Sequence, residues 1–274
     1  MITRKLFRVR LQQVFRRMGV LAMVEKMRYR VKRWQLRKRN RAFVSNNPDF
    51  ALPPSHLAFD AYSSSHWDYY KISGEQTAQF LLGIIQKHFG GNPPQRIYEW
   101  GCGPGRVIRQ LPAVLNKTTE FHGSDYNVES IEWCKNKISG IQFIVNGLEP
   151  PLPYPDHSFD FIYALSVFTH LSELNALRWA DELLRVVKPG GIVLVTTAGN
   201  AIYEKELLPG ERKQYETEGV VTRANYKEGK KMFLAMHNPR YVREKLLSKF
   251  EIIDHGNTGI PFMRQDWWIG RKKY

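Results

Sequence analysis

Between residues 96 and 197, short apolar segments alternate with longer amphipathic segments, and this alternation constrains the fold more than any other feature. Strands are predicted at residues 96–100, 121–125, 142–145, 159–165 and 192–197, and helices at 106–115, 128–137 and 174–187. Such alternation requires crossover connections, which produce a parallel sheet with helices on both faces. We therefore predict an α/β protein with a three-layer, doubly wound sheet. Further strand candidates follow at residues 232–236, 250–254 and 267–270, and another helix at 73–89 precedes the alternation.

The turn after the first predicted strand is rich in glycine. It reads Glu99-Trp-Gly-Cys-Gly-Pro-Gly-Arg106, and a helix is predicted to begin near Arg106. Glycine lets the backbone turn tightly and approach a ligand, and the free N–H groups of a helix start attract a carboxylate or phosphate. A phosphate-binding loop of the Walker type does not fit, because no Lys-Ser or Lys-Thr pair follows. A dinucleotide fingerprint does not fit either, because Arg106 stands where its last small residue should be.

Asp125 ends the next predicted strand, 20 residues after Gly105. A carboxylate at this position of a nucleotide-binding crossover can accept hydrogen bonds from both hydroxyls of a ribose. The alternative is an aspartate that only caps the following helix, which is common for an isolated Asp. The glycine-rich turn that precedes Asp125 favours the ribose.

Four segments together resemble the class I S-adenosylmethionine-dependent methyltransferases. They are the 99–106 turn, Asp125, Leu152-Pro-Tyr-Pro-Asp-His-Ser-Phe-Asp160 and Leu184-Arg-Val-Val-Lys-Pro-Gly-Gly191. The resemblance is strong over residues 96–197 and looser towards the C-terminus. It implies a Rossmann-like methyltransferase fold with a mostly parallel seven-stranded sheet and S-adenosyl-L-methionine as the cofactor. It also implies that the 99–106 turn holds the methionyl part of the cofactor and Asp125 its ribose.

The resemblance further implies that the segment after the third strand flanks the adenine. Many relatives have an aspartate there, whereas this chain has Asn146, Gly147 and Leu148. The amide oxygen of Asn146 could still accept a hydrogen bond from the adenine amino group. The residues expected to form the cofactor site are Glu99, Trp100, Gly101, Cys102, Gly103, Gly105, Arg106, Asp125, Tyr126, Asn146, Gly147, Leu148, Leu165 and Ser166.

His170 follows the fourth predicted strand and is a candidate general base. The segment Ser166-Val-Phe-Thr-His170 reaches the carboxyl edge of the sheet, where ligands bind in such folds. An oxygen acceptor must lose its proton, and histidine is suited to remove it near neutral pH. The alternative is that His170 only orients its loop. We predict methylation at oxygen of a small-molecule, glycan or lipid-linked acceptor.

The C-terminal part offers more polar candidates and an insertion. The segments 232–237 and 265–268 are similar to those of small bacterial methyltransferases found with glycan and surface-polymer pathways. His237, Gln265 and Asp266 are candidates for the acceptor pocket, and His237 and Asp266 are also considered as catalytic residues. Alternatively, these side chains satisfy backbone groups at strand ends. Residues 203–231 interrupt the alternation and are a candidate substrate lid.

Nucleic acid is disfavoured as the acceptor. Adenine-methylating enzymes often have an Asn/Asp-Pro-Pro-aromatic loop after this strand, where this chain has Ala164-Leu-Ser-Val-Phe168. Cytosine C5 methylation needs a nucleophilic cysteine, and neither Cys102 in the turn nor Cys134 in a predicted helix is well placed. Two cysteines cannot form a disulfide framework or a Cys-rich metal site, so no metal is predicted, and they fit a reducing cytoplasm.

Positive charge is concentrated at the N-terminus. The net charge is +15, and residues 1–47 carry +14 of it because they contain 15 Lys and Arg against one acid, Glu25. A second basic run occupies residues 28–41. The arm could bind an anionic membrane surface, contact nucleic-acid phosphates, or pack on the body with its charges solvated. From Phe7 onwards, five apolar residues of the arm have helical spacing and form a stripe: Phe7, Leu11, Val14, Met18 and Leu21.

Three regions are predicted: a basic amphipathic arm at 1–47, a linker and helical cap at 48–94, and the methyltransferase domain at 95–274. No apolar run approaches the ~18 residues of a membrane-spanning helix, so we expect a cytoplasmic protein, peripheral at the inner membrane surface if the arm binds lipid. Two alternatives to a small-molecule methyltransferase stay open. They are an RNA methyltransferase that uses the arm and a non-catalytic module that binds S-adenosylmethionine.

Overall fold

The computed structural model describes residues 14, 20–115, 118–200, 206–224 and 226–274, and its centre is a seven-stranded sheet. The strands of the chain are β1 (Arg96–Trp100), β2 (Glu120–Asp125), β3 (Gln142–Val145), β4 (Phe159–Ala164), β5 (Val187–Thr197), β6 (Val220–Arg223), β7 (Leu234–His237), β8 (Glu251–Gly256) and β9 (Asp266–Arg271). The order across the sheet is β3-β2-β1-β4-β5-β9-β8. Neighbouring strands are parallel except that β9 is antiparallel to both β5 and β8.

Helices precede the sheet and connect its strands. They are α1 (Leu21–Gln35), α2 (Arg37–Asn46), α3 (Ser55–Tyr62), α4 (Trp67–Phe89), α5 (Leu111–Val114), α6 (Val128–Lys137), α7 (Glu173–Val186), α8 (Pro209–Thr217) and α9 (Pro239–Tyr241). Short 3-10 turns lie at Ile108–Gln110 and Phe168–His170, and a π turn at Val242–Leu246. The N-terminus of α6 is capped by Asn127, whose side chain accepts a hydrogen bond from the backbone N–H of Ser130.

Both faces of the sheet are buried, and successive residues of the central strands belong to opposite faces. In β4, Phe161 packs in one core cluster with Leu81 of α4, whereas Ile162 packs in the other with Trp179 of α7. Strands buried on both faces have continuous apolar runs, as residues 161–164 of β4 and 192–195 of β5 do here. The prediction of a three-layer, doubly wound, mostly parallel sheet of seven strands is confirmed.

The largest differences between prediction and structure concern four elements. The helix predicted at 106–115 is a 3-10 turn followed by the four-residue α5, and Pro112 at the start of α5 has no N–H with which to continue the preceding turn. The strand predicted at 232–236 lies outside the main sheet, because β7 pairs with β6 in a separate two-stranded sheet. The helix α4 begins at Trp67 and the strand β5 at Val187, both earlier than predicted.

The described part of the basic arm is packed on the body. Leu21 and Phe43 are buried, the hydroxyl of Tyr29 lies 2.6 Å from Oγ of Ser55, and α1 and α2 together cover α3 and α4. Of the predicted N-terminal stripe, Leu21 is in the core and Val14 is exposed, whereas Phe7, Leu11 and Met18 lie outside the described residues. Within the described ranges, no helix combines the length and the apolar character needed to cross a membrane.

Candidate cofactor and acceptor site

A cavity of about 750 Å³ opens at the carboxyl edge of the sheet, beside the ends of β1, β2 and β4. Parallel strands end on the same side, so the crossover topology brings their following loops together here. Part of the lining is the glycine-rich turn and the loop after β4. Further parts come from the loops after β2 and β3, from α1 and α3, from residues 226–234 and from the loop between β8 and β9.

The backbone conformation of the glycine-rich turn strongly favours glycine. Gly101, Gly103 and Gly105 have φ angles of 76°, 52° and 70°. A Cβ atom on Gly103 would lie 3.2 Å from the hydroxyl oxygen of Tyr62, and one on Gly105 would lie 2.6 Å from Cδ1 of Ile138. Gly101 and Gly103 line the cavity, so a ligand there can approach their backbone without meeting a side chain.

Asp125 joins the end of β2 to the turn. One carboxylate oxygen accepts a hydrogen bond from the N–H of Gly103 at 2.9 Å, and the other accepts one from the N–H of Asn127 at 2.8 Å. Burial raises the pKa of Asp125, although these two hydrogen bonds act in the opposite direction. Each oxygen has a second lone pair, so the side chain in the cavity lining can still accept bonds from two hydroxyls.

The prediction that Glu99 contacts the cofactor is not supported. Glu99 is buried behind the turn, and its Oε2 accepts hydrogen bonds of 3.0 Å from both the N–H of Ile108 and the hydroxyl of Tyr163. The N–H at the helix start, predicted to bind a ligand, is therefore used by Glu99. Burial raises the pKa of Glu99 to about 8. Cys102 and Gly105 are likewise absent from the described lining of the cavity.

Two buried polar atoms of the lining lack a hydrogen-bond partner among the described residues. They are Nε of Arg106 and Oδ1 of Asn146. Arg106 is fixed by a 2.8 Å bond from its Nη1 to Oγ of Ser73 and by the ring of Tyr62, 4.7 Å away. S-adenosylmethionine has a carboxylate at its methionyl end and an amino group on its adenine. A free donor and a free acceptor therefore match the two ends of this cofactor.

Aromatic contacts fix the remaining loops of the cofactor side. Trp100 stacks on Trp179 with 4.4 Å between the ring centroids, and Nε1 of Trp179 donates a 2.8 Å hydrogen bond to the carbonyl oxygen of Leu148. The hydroxyl of Tyr126 donates a 2.9 Å bond to the carbonyl oxygen of Gly229 in the insertion. Trp100, Tyr126, Gly147, Leu148, Leu165 and Ser166 all line the cavity, as predicted for the site.

His170 lies in the same cavity lining. Its Nδ1 is 2.8 Å from the carbonyl oxygen of Phe233. Because a carbonyl oxygen only accepts, Nδ1 carries the proton, and Nε2 of the neutral ring keeps its lone pair. Burial lowers the pKa of His170, so the ring is neutral near pH 7. This is the protonation state that a general base requires.

A closed hydrogen-bond network holds the loop after β4. Ser166 has a φ of 64°, a left-handed backbone conformation that is uncommon for a residue with a side chain. Its N–H donates to Oγ1 of Thr196, Thr196 donates to Oε1 of Gln265, and Nε2 of Gln265 donates to Oγ of Ser166, each at 2.7 Å. Gln265, predicted near the acceptor pocket, is thus in the cavity lining and fixes a strained position beside it.

His237 and Asp266 lie behind the lining, which does not support their prediction as catalytic residues. Both ring nitrogens of His237 are buried and have no hydrogen-bond partner among the residues that the structure describes, and burial lowers the pKa of His237 to about 4. Asp266 is fully buried and accepts a 2.8 Å hydrogen bond from the N–H of Asn200. In the described ranges, no group of three or more His, Cys, Asp or Glu residues is placed to hold a metal ion.

Several residues of the lining were not selected from the sequence. Nζ of Lys231 lies 3.1 Å from Oε2 of Glu25 and 3.7 Å from the centroid of the Phe59 ring. Tyr29 of α1 and Phe262 of the loop between β8 and β9 complete this side. No local pattern could have identified them, because they come from four segments that only the tertiary structure brings together.

Comparisons with known proteins agree with this geometry. The family described as "Methyltransferase domain" matches residues 98–195. A sterol 24-C-methyltransferase of Schizosaccharomyces pombe is 30% identical over 155 residues, which are 50% of this chain and 38% of that protein. A fatty-acid O-methyltransferase of Mycolicibacterium smegmatis is 33% identical over 106 residues, 38% of this chain and 37% of that protein. A tRNA (carboxymethyluridine(34)-5-O)-methyltransferase of Arabidopsis thaliana is 37% identical over 154 residues, 56% and 34% of the two chains.

The chain spans less than half the length of these relatives. Among solved structures, the PH0226 protein of Pyrococcus horikoshii superposes with a TM-score of 0.53 at 19% identity, covering 75% of this chain and 95% of that one. That likeness concerns the fold. The family match covers the part of the chain that contains the glycine-rich turn, Asp125, Asn146 and His170. Residues 98–195 are therefore a methyltransferase domain, and the chain has the fold of the class I, S-adenosylmethionine-dependent methyltransferases.

Proposed function

We propose that this protein transfers a methyl group from S-adenosylmethionine to a hydroxyl oxygen of a small-molecule, glycan or lipid-linked acceptor. The observation that carries the proposal is the neutral imidazole of His170, whose Nδ1 is bonded to a backbone carbonyl and whose ring lies in the same cavity as Asp125 and the glycine-rich turn. A base and a cofactor site that share one cavity are what methylation of a hydroxyl requires.

Different residues of the site would contact different parts of the cofactor. Arg106 and the backbone of Gly101 and Gly103 would hold the methionyl part of the cofactor, Asp125 its ribose and Asn146 its adenine amino group. When bound, the cofactor supplies a methyl group on a positively charged sulfur that is already a good leaving group. His170 accepts the acceptor's hydroxyl proton on Nε2 while the oxygen bonds to the methyl carbon.

The lining favours an acceptor that combines apolar and anionic groups. Tyr29, Phe59, Tyr69 and Phe262 give the cavity an aromatic side, and Lys231 and Arg264 add positive charge. The name of the Mycolicibacterium relative, a fatty-acid O-methyltransferase, is consistent with an apolar acceptor methylated at oxygen. We place residues 226–231 of the insertion over the cavity as a lid, because Gly229 bonds to both Tyr126 and the backbone of His170.

The test is transfer of labelled methyl from S-adenosylmethionine into fractionated lipids, glycans, small molecules, peptides and RNA. We expect label in a lipid or glycan fraction. His170→Asn keeps a donor for the Phe233 carbonyl but offers no base, and it should lower the rate by roughly 10²–10⁴-fold. His157→Asn, an exposed histidine before β4, is the control and should have the wild-type rate. Equal rates for the two variants would contradict the role of His170.

One observation favours a second candidate function. The Arabidopsis relative is named as a tRNA methyltransferase, and residues 1–47 carry a charge of +14 that could bind phosphates. Label found only in RNA would support this alternative. No label in any fraction, despite binding of S-adenosylhomocysteine, would instead indicate a non-catalytic module. For the preferred function, we propose that the basic arm holds the protein peripherally on the cytoplasmic face of an anionic membrane.

A further inference from the structure

The helix α1 has two faces with different surroundings. One face packs on the body, since Leu21 is buried, the Tyr29 hydroxyl lies 2.6 Å from Oγ of Ser55, and Nζ of Lys32 donates a 2.7 Å bond to the carbonyl oxygen of Ser63. Lys231 of the insertion also reaches this helix, through Glu25. These contacts fix the rotation of α1, so the residues on its other face are presented in a defined direction.

The outer face of α1 carries an exposed apolar row, which we call the α1 stripe: Met23, Met27, Val31 and Trp34. Spacings of four, four and three residues place these side chains on one side of the helix. Met23 and Met27 are each more than half exposed, and Trp34 is 75% exposed. A continuous exposed apolar row of this kind is uncommon on a protein surface that faces only water and marks a site of interaction.

Positive charge surrounds the α1 stripe. Lys26, Arg30 and Arg33 of α1 are exposed beside it, and α2 adds Arg37, Lys38, Arg39 and Arg41. Glu25 is the sole acid between residues 21 and 46, all of which are described, and it is paired with Arg28 and with Lys231. Residues 21–46 are therefore strongly cationic, which is complementary to an anionic partner.

The cavity opens beside the same helix. Ala22, Lys26 and Tyr29 of α1 are part of its lining, and so is Phe262, which is 53% exposed. Lys26 thus belongs both to the cationic border of the stripe and to the cavity. A partner that covers the α1 stripe would lie next to the opening through which an acceptor enters.

We infer that the α1 stripe inserts into the surface of an anionic lipid bilayer and that the acceptor reaches the cavity from that bilayer. Apolar side chains on one helical face enter the headgroup boundary, and the flanking Lys and Arg side chains contact anionic headgroups. The phosphates of an RNA would bind the positive charges, and a base would stack on Trp34. RNA has no apolar surface that would cover Met23, Met27 or Val31. The entry route rests on the proposed function, whereas the membrane contact does not.

The test uses the full chain with a polarity-sensitive dye on a single introduced cysteine. The native thiols of Cys102 and Cys134 are buried, so Met27→Cys can be labelled selectively. Asn92→Cys, exposed before β1 at the opposite edge of the sheet, is the matched control. With phosphatidylglycerol-containing vesicles, the dye at position 27 should shift to shorter wavelength and the dye at position 92 should not. Vesicles of phosphatidylcholine alone should give a much smaller shift, because they attract the cations less.

Sedimentation of unlabelled variants with the same vesicles separates the contribution of the apolar α1 stripe from that of the positive charges beside it. One double variant removes apolar side chains (Trp34→Gln with Met27→Gln), and a second reverses charges (Arg30→Glu with Arg33→Glu). Each should lower the fraction of protein bound to vesicles at least about tenfold. Lys137→Glu combined with Lys273→Glu reverses two exposed charges away from α1 and should lower it much less.

Several results would overturn the inference: no shift at position 27, equal shifts at both positions, or a shift given by RNA and not by vesicles. Binding of S-adenosylhomocysteine is measured by calorimetry without vesicles. If the protein does not bind S-adenosylhomocysteine, the proposed function is contradicted, and the membrane contact is still judged by the vesicle experiments.

The entry route is tested when both cofactor and vesicles bind. The rate of methyl transfer to a lipid fraction should then be lower in the Trp34→Gln and Met27→Gln double variant than in the wild type, but only when the acceptor is presented in vesicles. An equal fall with detergent-dispersed acceptor would contradict entry from the bilayer.

Discussion

Nδ1 of His170 donates a 2.8 Å hydrogen bond to the carbonyl oxygen of Phe233, 63 residues further along the chain. This bond connects the loop after β4 to the segment that precedes β7. It fixes the tautomer of the imidazole, so that Nε2 is the nitrogen that can accept a proton. His170 and the insertion are therefore parts of one structural unit, because the N–H of Gly229 also bonds to the carbonyl oxygen of His170.

The pH dependence of methyl transfer should have an acidic limb set by His170. Burial lowers the pKa of this group, so the neutral, active form persists below its ordinary pKa of about 6.5 and is lost only as the pH falls further. We expect kcat/KM for the acceptor to be level between about pH 6.5 and 7.5 and to fall below that range. A loss of activity centred above pH 7 would contradict this assignment, as would an unchanged acidic limb in His170→Asn.

Asp125→Ala should weaken cofactor binding. The substitution removes the carboxylate that we assign to the ribose hydroxyls, at a cost of roughly 1–3 kcal/mol, or about 5- to 150-fold in Kd. Calorimetry with S-adenosylhomocysteine measures the change. Asp181→Ala removes an exposed carboxylate paired with Lys249 and should leave Kd unchanged. Because Asp125 also binds the N–H of Gly103, circular dichroism must show that the variant is folded.

Gly105→Ala should destabilise the protein through the backbone of the turn. The φ of 70° disfavours any side chain, and the new Cβ would lie 2.6 Å from Cδ1 of Ile138. Together these effects should lower the free energy of unfolding by about 1–3 kcal/mol. Gly210→Ala in α8 is the contrasting change, since nothing lies within 4 Å of its Cβ position and its φ is not positive. It should be neutral or stabilising by up to about 1 kcal/mol. Urea unfolding compares the two, and equal effects would contradict the assignment of strain to the turn.

Glu99→Gln should change how stability depends on pH. The folded state holds the proton of Glu99 up to about pH 8, whereas the unfolded chain releases it near 4.3, so the wild type loses stability as the pH rises between these values. The glutamine side chain is uncharged and keeps an acceptor oxygen for Ile108 and Tyr163. The variant should therefore gain stability relative to the wild type from pH 5 to pH 8, by several kcal/mol at most. Urea unfolding at both pH values measures this, and a constant difference would contradict the buried, protonated state of Glu99.

Residues near one another in sequence were predicted well. The strands β1 and β3 and the helix α6 have the predicted bounds, because alternation, helical spacing and turn residues act over a few positions. The glycine-rich turn and Asp125 were found for the same reason. Asn146 was identified as an unusual residue in the adenine position, and its buried Oδ1 without a partner among the described residues agrees with that interpretation.

Other features depended on the direction in which a side chain points. Glu99 belongs to the same short motif as Gly101, but it lies on the buried side of the turn and bonds to Tyr163 of the neighbouring strand. His237 ends β7, which pairs with β6, and its side chain is fully buried behind the cavity. The direction of these side chains depends on strand pairing, because a shift of one residue in register moves every side chain of a strand to the opposite face of the sheet.

The sequence by itself determined the layered sheet, the glycine-rich turn with its acidic partner, and the charge of the N-terminal arm, since each follows from local spacing and residue type. Only the tertiary structure decided which residues line the cavity opposite the turn. Tyr29, Lys231 and Phe262 meet there because burial of apolar surface packs three distant segments over one edge of the sheet. The same packing decided which face of α1 is covered and which presents Met23, Met27, Val31 and Trp34 to the exterior. Contacts between distant segments arise from the packing of the whole chain, and no local pattern encodes them.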